Sequence, residues 1–154
     1  MFHASPRPRL LALAGALALC LSLGTAAWAQ TADPLKKAAA EKGAVVSDSG
    51  LIYLSLREGQ GASPAATDTV KVHYRGTFTD GREFDSSYSR GEPASFPLNR
   101  VIKCWTEGVQ KLKVGGKAKL TCPSAIAYGP NGRGPIPGGA TLVFEVELLG
   151  INDK

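Results

Sequence analysis

The sequence is poor in the side chains that carry out covalent or metal chemistry. It contains only 3 cysteines and 2 histidines. Cys20 and His3 lie in a segment that we expect to be removed, which leaves His73 as the single histidine of the mature chain. No Cys-x-x-Cys or His-x-x-x-His spacing occurs, so the sequence predicts neither a metal site nor another cofactor. The Gly-x-Ser-x-Gly motif is also missing, which gives Ser–His–acid catalysis little support.

Charge of one sign is likewise not concentrated anywhere. Lys and Arg total 18 against 13 Asp and Glu, a formal net charge of +5. Without Arg7 and Arg9, which lie in the expected leader, 16 basic residues face 13 acidic ones, a net charge of +3. Such a mild, dispersed excess predicts no nucleic-acid partner. Residues 129–139 are rich in glycine, but they precede a predicted strand and lack a Gly-Lys-Ser/Thr element, so we interpret them as a surface loop.

The first 29 residues have the pattern of a secretory signal peptide. Arg7 and Arg9 precede an uncharged, largely apolar run at 10–23, which is shorter than the roughly 20 residues that cross a membrane. The small residues Ala27 and Ala29 fit a signal peptidase site. We therefore expect cleavage after Ala29, no membrane anchor, and a mature chain of 125 residues in an oxidising compartment. A bacterial periplasm is the expected location, and secretion is the alternative.

The mature chain predicts an α+β fold in which an antiparallel sheet packs against one main helix. Residues 33–42 favour a short helix that Asp33 caps and Pro34 begins. Val70, Val72 and Tyr74 alternate with polar residues, as in a half-buried strand. The other predicted elements are strands at 50–57, 83–85, 118–122 and 142–148, a turn at 79–82 and an irregular loop at 91–97.

The main helix is predicted to begin at Asn99 or Arg100. Its apolar residues recur at helical spacing, and Gly115 and Gly116 are expected to end it. The residues on this apolar face are Val101, Trp105, Val109 and Leu112. We expect this face to cover the sheet.

Cys104 and Cys122 are the two cysteines of the mature chain. Cys122 is in phase with the buried positions of its strand, and Cys104 lies near the start of the helix that should cover that strand. In a reducing cell the two would be independent core thiols, whereas in an exported protein such a pair more often forms a disulfide, worth about 2–4 kcal/mol. We favour the disulfide. A redox-active pair is the alternative, although catalytic pairs are normally closely spaced and exposed.

Several aromatic residues lie where a sheet, a helix start and loops should converge. Core packing is the default interpretation of such residues. Phe84 follows a turn, however, Trp105 lies near a helix start, and Tyr128 enters a Gly/Pro loop, which are positions typical of a pocket. With Tyr74 and Asp85 as polar groups, this set is typical of a site for a small ligand or a peptide.

Five sequence blocks resemble the FKBP-type peptidyl-prolyl cis-trans isomerases. In chain order they are VHYRG at 72–76, GREFDSS at 81–87, VIKCWTEG at 101–108, AYG at 127–129 and ATLVFEVEL at 140–148. The resemblance covers residues 50–151 and implies a twisted antiparallel β-sheet wrapped around one short α-helix, with an aromatic pocket between them. It divides the chain into the signal peptide at 1–29, a short extension at 30–49 and an isomerase domain at 50–154.

The resemblance also implies a role for each pocket residue. The catalytic set would be Tyr128, Asp85, Phe84 and Trp105. Trp105 would be the floor of the pocket, the Tyr128 hydroxyl and the Ile102 amide would hydrogen-bond a bound peptide or a macrolide inhibitor, and Asp85 would orient polar groups at the edge. The substrate-binding residues would be Tyr74, Phe96, Val101, Ile102, Ile136 and Phe144.

Two places depart from the family pattern. Cys104 stands where the family usually has a small residue, commonly glycine, which supports a special role such as the disulfide with Cys122. The segment 130–139 usually differs among family members, and it places Arg133 and Ile136 near the pocket rim.

The implied activity is isomerisation of X-Pro bonds in proline-containing segments of unfolded or partly folded exported proteins. A binding module that holds apolar peptide in the same pocket without turnover is the alternative. Retention of Phe84, Trp105 and Tyr128 favours the isomerase. Family members of the Mip-like group carry a long helical dimerisation segment, whereas only residues 30–46 precede the domain here, so we expect a monomer.

Overall fold

The computed structural model of the chain describes residues 33–152. The predicted signal peptide lies outside these residues. Between residues 33 and 152, no helix combines the length and the apolar character that a membrane crossing requires.

The described residues form one antiparallel sheet of seven strands. The strands are β1 Val45–Val46, β2 Ile52–Arg57, β3 Thr69–Phe78, β4 Glu83–Ser86, β5 Ala94–Pro97, β6 Lys117–Cys122 and β7 Leu142–Ile151. Their order is β1-β2-β6-β7-β3-β4, and β5 also pairs with β3. Strand β3 therefore joins the sheet together: it pairs with β7 along one edge and with β4 and β5 along the other.

Three short α-helices accompany the sheet. They are α1 Pro34–Ala39, α2 Ser87–Arg90 and α3 Lys103–Val109, and 3₁₀ turns lie at Leu98–Arg100 and Ser124–Ile126. The predicted cap of α1 is confirmed, because the Asp33 side chain accepts a hydrogen bond from the Leu35 N–H at 3.0 Å. The helix ends at Ala39 rather than Lys42.

The core lies between α3 and the sheet. Trp105 and Val109 of α3 are buried against apolar side chains of the central strands, such as Val146 and Leu120. Fully burying one such aliphatic side chain contributes roughly 1.5–3 kcal/mol. The helix approaches the sheet closely, since a Cβ atom added at Gly108 would lie 2.8 Å from both Leu120 Cδ atoms. This position therefore requires glycine or a shift of the leucine.

A disulfide joins α3 to the sheet. Cys104 and Cys122 are bonded, their Cα atoms are 5.9 Å apart, and both side chains are fully buried. The favoured pairing is confirmed. A redox-active pair would normally be exposed, whereas both cysteines are fully buried here.

The region between β4 and α3 differs from the sequence prediction. Residues 94–97, predicted to be irregular, form β5, in which Ala94 pairs with Val72 and Pro97 with Thr69. Proline is compatible with this place because β5 pairs on one side only and Pro97 ends it. The helix predicted from Asn99 or Arg100 begins at Lys103 instead.

The later helix start has a local cause. Leu98 is fully buried, and its N–H donates to the Asp68 carbonyl at 2.9 Å, which holds residues 98–100 in a 3₁₀ turn. Val101 and Ile102 follow with extended backbone angles. Val101 therefore precedes the helix, and Leu112 packs in the core from the turns that follow Val109.

His73 lies on the face of β3 opposite the core, as its phase in the strand predicts. Its ring stacks on Tyr88 at 4.6 Å, and its Nδ1 lies 2.9 Å from the Ser87 Oγ. Ser87 is fully buried, and its Oγ accepts a hydrogen bond from the Tyr74 N–H at 2.8 Å. This serine is a structural link between α2 and β3 and has no access to a substrate, so the pair does not form a nucleophilic site.

Candidate active site

A cavity of about 300 Å³ opens beside α3. Four strands, α3 and two connecting segments contribute side chains to it. The lining residues are Tyr74, Phe84, Asp85, Phe96, Arg100, Val101, Ile102, Trp105, Tyr128, Arg133 and Phe144.

Trp105 forms the floor of the cavity and is 4% exposed. Three rings meet its indole edge to face: Tyr74 at 5.2 Å, Phe96 at 5.6 Å and Phe144 at 5.5 Å between centroids. Such pairs contribute about 0.5–1.5 kcal/mol each beyond the burial of their area. The Trp105 Nε1 is buried and has no hydrogen-bond partner among residues 33–152. The floor is thus an aromatic ring held by three other rings, with an unpaired donor at its Nε1 among the described residues.

Phe84 forms one wall, and Gly76 provides the space for it. The Phe84 ring lies 5.6 Å from that of Phe144 and perpendicular to it. In β3, Gly76 is the register partner of Phe144. A Cβ atom at residue 76 would lie 2.6 Å from the Phe84 Cζ and 3.0 Å from the Phe144 Cε1. Any larger residue at 76 must therefore displace a wall of the cavity.

A polar network lies at one edge of the cavity. The Tyr74 hydroxyl donates to the Asp85 Oδ2, and Arg90 donates to the Asp85 Oδ1 at 2.5 Å and to the Tyr74 hydroxyl oxygen at 2.9 Å. Burial raises the pKa of Asp85, but the hydrogen bonds from Tyr74 and Arg90 outweigh it and lower that pKa below its ordinary value. Burial and the bond to Asp85 raise the pKa of Tyr74. At neutral pH the site therefore holds a carboxylate, a neutral phenol and a guanidinium.

The segment from Leu98 to Ile102 presents a backbone N–H beside the cavity. The Ile102 carbonyl accepts from the Trp105 and Thr106 N–H groups at 2.9 and 3.1 Å, and the Thr106 Oγ1 donates to the Leu98 carbonyl at 2.6 Å. These bonds hold residues 98–102 in place before the start of α3. The Ile102 N–H itself donates to none of the described residues. It is free to bind a carbonyl oxygen.

Tyr128 enters the cavity from the turn after β6. The Gly129 N–H donates to the Ser124 carbonyl at 2.8 Å, and the Gly139 N–H donates to the Gly129 carbonyl at 2.9 Å, so the loop 129–139 is closed at its base. The Tyr128 hydroxyl forms no hydrogen bond with any residue between 33 and 152. It is a second group that can hydrogen-bond a ligand.

The structure brings together nearly all of the residues that the resemblance assigns to the pocket. Ile136 is the exception: it is 7% exposed, packs into the core and does not line the cavity. The reason is the hairpin formed by two hydrogen bonds of 2.9 Å between Arg133 and Ile136, which places Arg133 at the cavity instead. Arg100, which the helical pattern of the sequence places only at a possible helix start, also lines the cavity. No sequence signal indicated it.

The described residues contain no group of three or more His, Cys, Asp or Glu side chains that could hold a metal ion. The groups available for chemistry at the cavity are aromatic rings, hydrogen-bond donors, one paired carboxylate and two arginines. An indole floor between aromatic walls, beside a twisted sheet and a short helix, defines an α+β protein with a small apolar ligand site.

Comparison with known proteins identifies the family. The sequence model of the FKBP-type peptidyl-prolyl cis-trans isomerases matches residues 60–149. The chain belongs to this family.

Similar proteins support the assignment. The FKBP-type peptidyl-prolyl cis-trans isomerase FkpA of Aeromonas hydrophila is 58% identical over 113 residues, which are 73% of this chain and 42% of that protein. FkpA of Escherichia coli strain K12 is 52% identical over 116 residues, which are 75% and 43% of the two chains. The chain thus spans less than half the length of these curated relatives.

Solved structures share the fold. The crystal structure of FkpA from Escherichia coli is 51% identical, with a TM-score of 0.75 over 76% of this chain and 55% of that one. A peptidyl-prolyl cis-trans isomerase from Pseudomonas syringae pv. tomato is 35% identical, with a TM-score of 0.72 over 77% of this chain and 87% of that one. The predicted fold class, a twisted antiparallel sheet with one short helix beside the pocket, is confirmed.

Proposed function

We propose that this chain is a peptidyl-prolyl cis-trans isomerase that accelerates X-Pro rotation during the folding of exported proteins. One observation carries the proposal: the aromatic cavity above Trp105 has two free hydrogen-bond donors beside it, the Ile102 N–H and the Tyr128 hydroxyl. A proline ring fits an apolar slot of this kind, and the two donors suit the carbonyl groups on either side of it.

The chemistry needs no nucleophile and no cofactor. An X-Pro amide rotates over a barrier of roughly 18–20 kcal/mol, because its C–N bond has partial double-bond character. The twisted amide has lost this resonance and is less dipolar than the planar one. An apolar, water-poor cavity therefore favours the transition state over the planar ground state. Catalysis of this kind is differential binding.

Each part of the cavity has a role in this mechanism. Phe84 and Trp105 would hold the proline ring in a water-poor slot. Tyr128 and the Ile102 amide would fix neighbouring carbonyl groups, so that only one side of the amide turns. Asp85, held by Tyr74 and Arg90, would orient polar groups at the edge.

The remaining walls complete the slot. Tyr74, Phe96 and Phe144 meet the indole edge to face, which fixes the width of the cavity. Val101 lies beside Ile102 in the same lining. Together they would exclude water from the rotating bond.

The substrates would be proline-containing segments of unfolded or partly folded exported proteins, and macrolide inhibitors would compete for the same cavity. The pattern of residues 1–29 supports cleavage of a signal peptide and a periplasmic location. The disulfide between Cys104 and Cys122 is consistent with an oxidising compartment. We propose further that residues 50–154 are the isomerase domain, that 30–49 are an extension, and that the protein is a monomer.

A proline-limited refolding assay tests the activity. The wild type should accelerate the slow phase of a protein whose refolding awaits X-Pro isomerisation. Phe84→Ala and Trp105→Ala should lower kcat/KM at least tenfold. Tyr128→Phe, which removes one hydrogen bond, should lower it about two- to tenfold. Tyr88→Phe is the matched control, because Tyr88 is an exposed tyrosine that does not line the cavity.

The controls separate loss of the site from loss of the fold. Each variant is first compared with the wild type by circular dichroism and urea unfolding. A folded wild type that leaves the slow phase unchanged would refute the catalytic proposal and would leave a peptide-binding module.

A further inference from the structure

Two arginines at the cavity have no acidic partner among residues 33–152. Arg100 and Arg133 both line the cavity and are exposed. Each of the other arginines between residues 33 and 152 forms an ion pair, namely Arg57, Arg75, Arg82 and Arg90. Arg100 and Arg133 form none with the described residues. The guanidinium groups without an ion pair among residues 33–152 are therefore both found at the cavity.

The structure holds both arginines on anchored backbone. Arg100 ends a 3₁₀ turn whose first residue, Leu98, is fully buried and bonded to Asp68 and Thr106. Arg133 belongs to a hairpin in which its backbone exchanges two hydrogen bonds of 2.9 Å with the buried Ile136. Anchoring of this kind reduces the entropy that a side chain loses when it binds a partner.

The carboxylate of the cavity cannot neutralise these arginines. Asp85 already accepts hydrogen bonds from Tyr74 and from Arg90, and its pKa is lowered by these partners. The negative charge of Asp85 and the positive charge of Arg90 cancel each other. Arg100 and Arg133 therefore leave the cavity with two uncompensated positive charges, which attract a negative group on the bound peptide.

We infer that Arg100 and Arg133 are specificity-determining residues that favour X-Pro substrates with an acidic residue next to the proline. This inference rests on the proposed isomerase function. It concerns the residue beside the proline rather than the proline ring, which occupies the apolar slot. A basic residue at the same place would be disfavoured by the same charges.

The expected preference is moderate because both arginines are exposed. A solvent-exposed ion pair changes an equilibrium by up to about fivefold. With two arginines, a glutamate peptide should exceed the isosteric glutamine peptide about three- to tenfold in kcat/KM at low salt, and a lysine peptide should fall below both. The preference should shrink with salt, since the Debye length falls from about 10 Å at 0.1 M to about 3 Å at 1 M.

The experiment uses two series of short blocked peptides. One series places Glu, Gln or Lys before the proline and the other places them after it. Isomerisation is followed by NMR exchange, which needs no coupling protease with a specificity of its own. The wild type is compared with Arg100→Gln, Arg133→Gln and the double variant. Lys71→Gln is the matched control, because it removes one positive charge from an exposed position of β3 outside the cavity.

The ratio of kcat/KM for Glu and Gln peptides is the readout. The inference predicts a ratio of about three to ten in at least one series, a ratio near one in the double variant, and an unchanged ratio in Lys71→Gln. Equal rates for Glu, Gln and Lys peptides in both series would overturn it, while activity on the Gln peptides would leave the isomerase proposal intact. Equal loss of the ratio in Lys71→Gln would also overturn it, because the general positive charge of the protein would then be the cause. Absence of activity on every peptide would instead refute the proposed function.

Discussion

The disulfide between Cys104 and Cys122 provides a quantitative test of what holds α3 on the sheet. The perturbation is the double substitution Cys104→Ala and Cys122→Ala. Alanine suits both positions, because the two side chains are fully buried and a serine would bury a hydroxyl. Residue 104 lies within α3, where alanine is favourable.

The sequence separation fixes the expected size of the effect. The two cysteines are 18 residues apart. In the chain-entropy description a closed loop of this length restricts the unfolded state by about 3 kcal/mol at 25 °C. Loss of two buried sulfur atoms adds roughly 1 kcal/mol of packing. The free energy of unfolding should therefore fall by about 3–4 kcal/mol, and Tm by roughly 12–16 °C for a domain of this size.

Urea unfolding monitored by fluorescence measures this fall in the free energy of unfolding directly. Trp105 adjoins Cys104 and is the only tryptophan of residues 33–152, so it reports on the same contact. Wild-type protein unfolded in excess reductant is the matched control, since it keeps both cysteine side chains and lacks only the bond. Each single substitution should cost nearly as much as the double one, because either breaks the same loop.

Two results would contradict this reasoning. If the reduced and oxidised wild types unfold within about 0.5 kcal/mol of each other, loop closure is not the source of the stability. If the reduced wild type retains full stability while the double variant loses 3–4 kcal/mol, the sulfur atoms stabilise the fold by packing alone.

Two further predictions concern the cavity. Gly76→Ala should lower kcat/KM about tenfold or more while the fold persists, because the new Cβ must displace the Phe84 ring. The proline-limited refolding assay measures kcat/KM, and circular dichroism measures the fold. An unchanged kcat/KM would show that the Phe84 ring can move without affecting catalysis. Arg90→Gln should raise the pKa of Asp85 toward its ordinary value of about 3.9, as measured by NMR titration of the carboxyl group. Because the pKa of Asp85 is lowered in the folded state, its ionisation stabilises the fold above the ordinary pKa, and this contribution is lost as pH falls from there through the folded-state pKa. The variant should therefore gain less from this ionisation, and the loss should be complete at a higher pH than in the wild type; an unshifted titration would contradict the pairing.

Most of the sheet was predictable because its strands alternate clearly. Val70, Val72 and Tyr74 are buried and Lys71 is exposed, as a period of two requires. The strand β5 was not predicted, since Gly91, Pro93 and Pro97 in and before it are typical of loops. It forms because β3 offers an unpaired edge, and that is a tertiary effect. Helix α2 has only 4 residues, which is too few for any periodicity.

The candidate site was predictable to the extent that it consists of motif residues. Phe84, Trp105 and Tyr128 lie in conspicuous aromatic positions, and the structure brings them together. The place of Arg100 at the cavity could not be predicted, because it depends on the 3₁₀ turn at Leu98–Arg100. The helical periodicity of the sequence predicted the start of an α-helix there instead. The burial of Ile136 could not be predicted for a related reason, since it depends on a hairpin within the loop.

The position of β7 in the sheet governs when this protein can become folded. The strand formed by residues 142–151 lies between β6 and β3 and pairs with both. Its partner β3 begins at Thr69, more than seventy residues earlier in the chain. A chain that emerges with its amino terminus first cannot close its sheet until this last strand arrives. The polypeptide therefore stays open through nearly all of its synthesis, and the cavity forms only once residues 142–151 are available to pair.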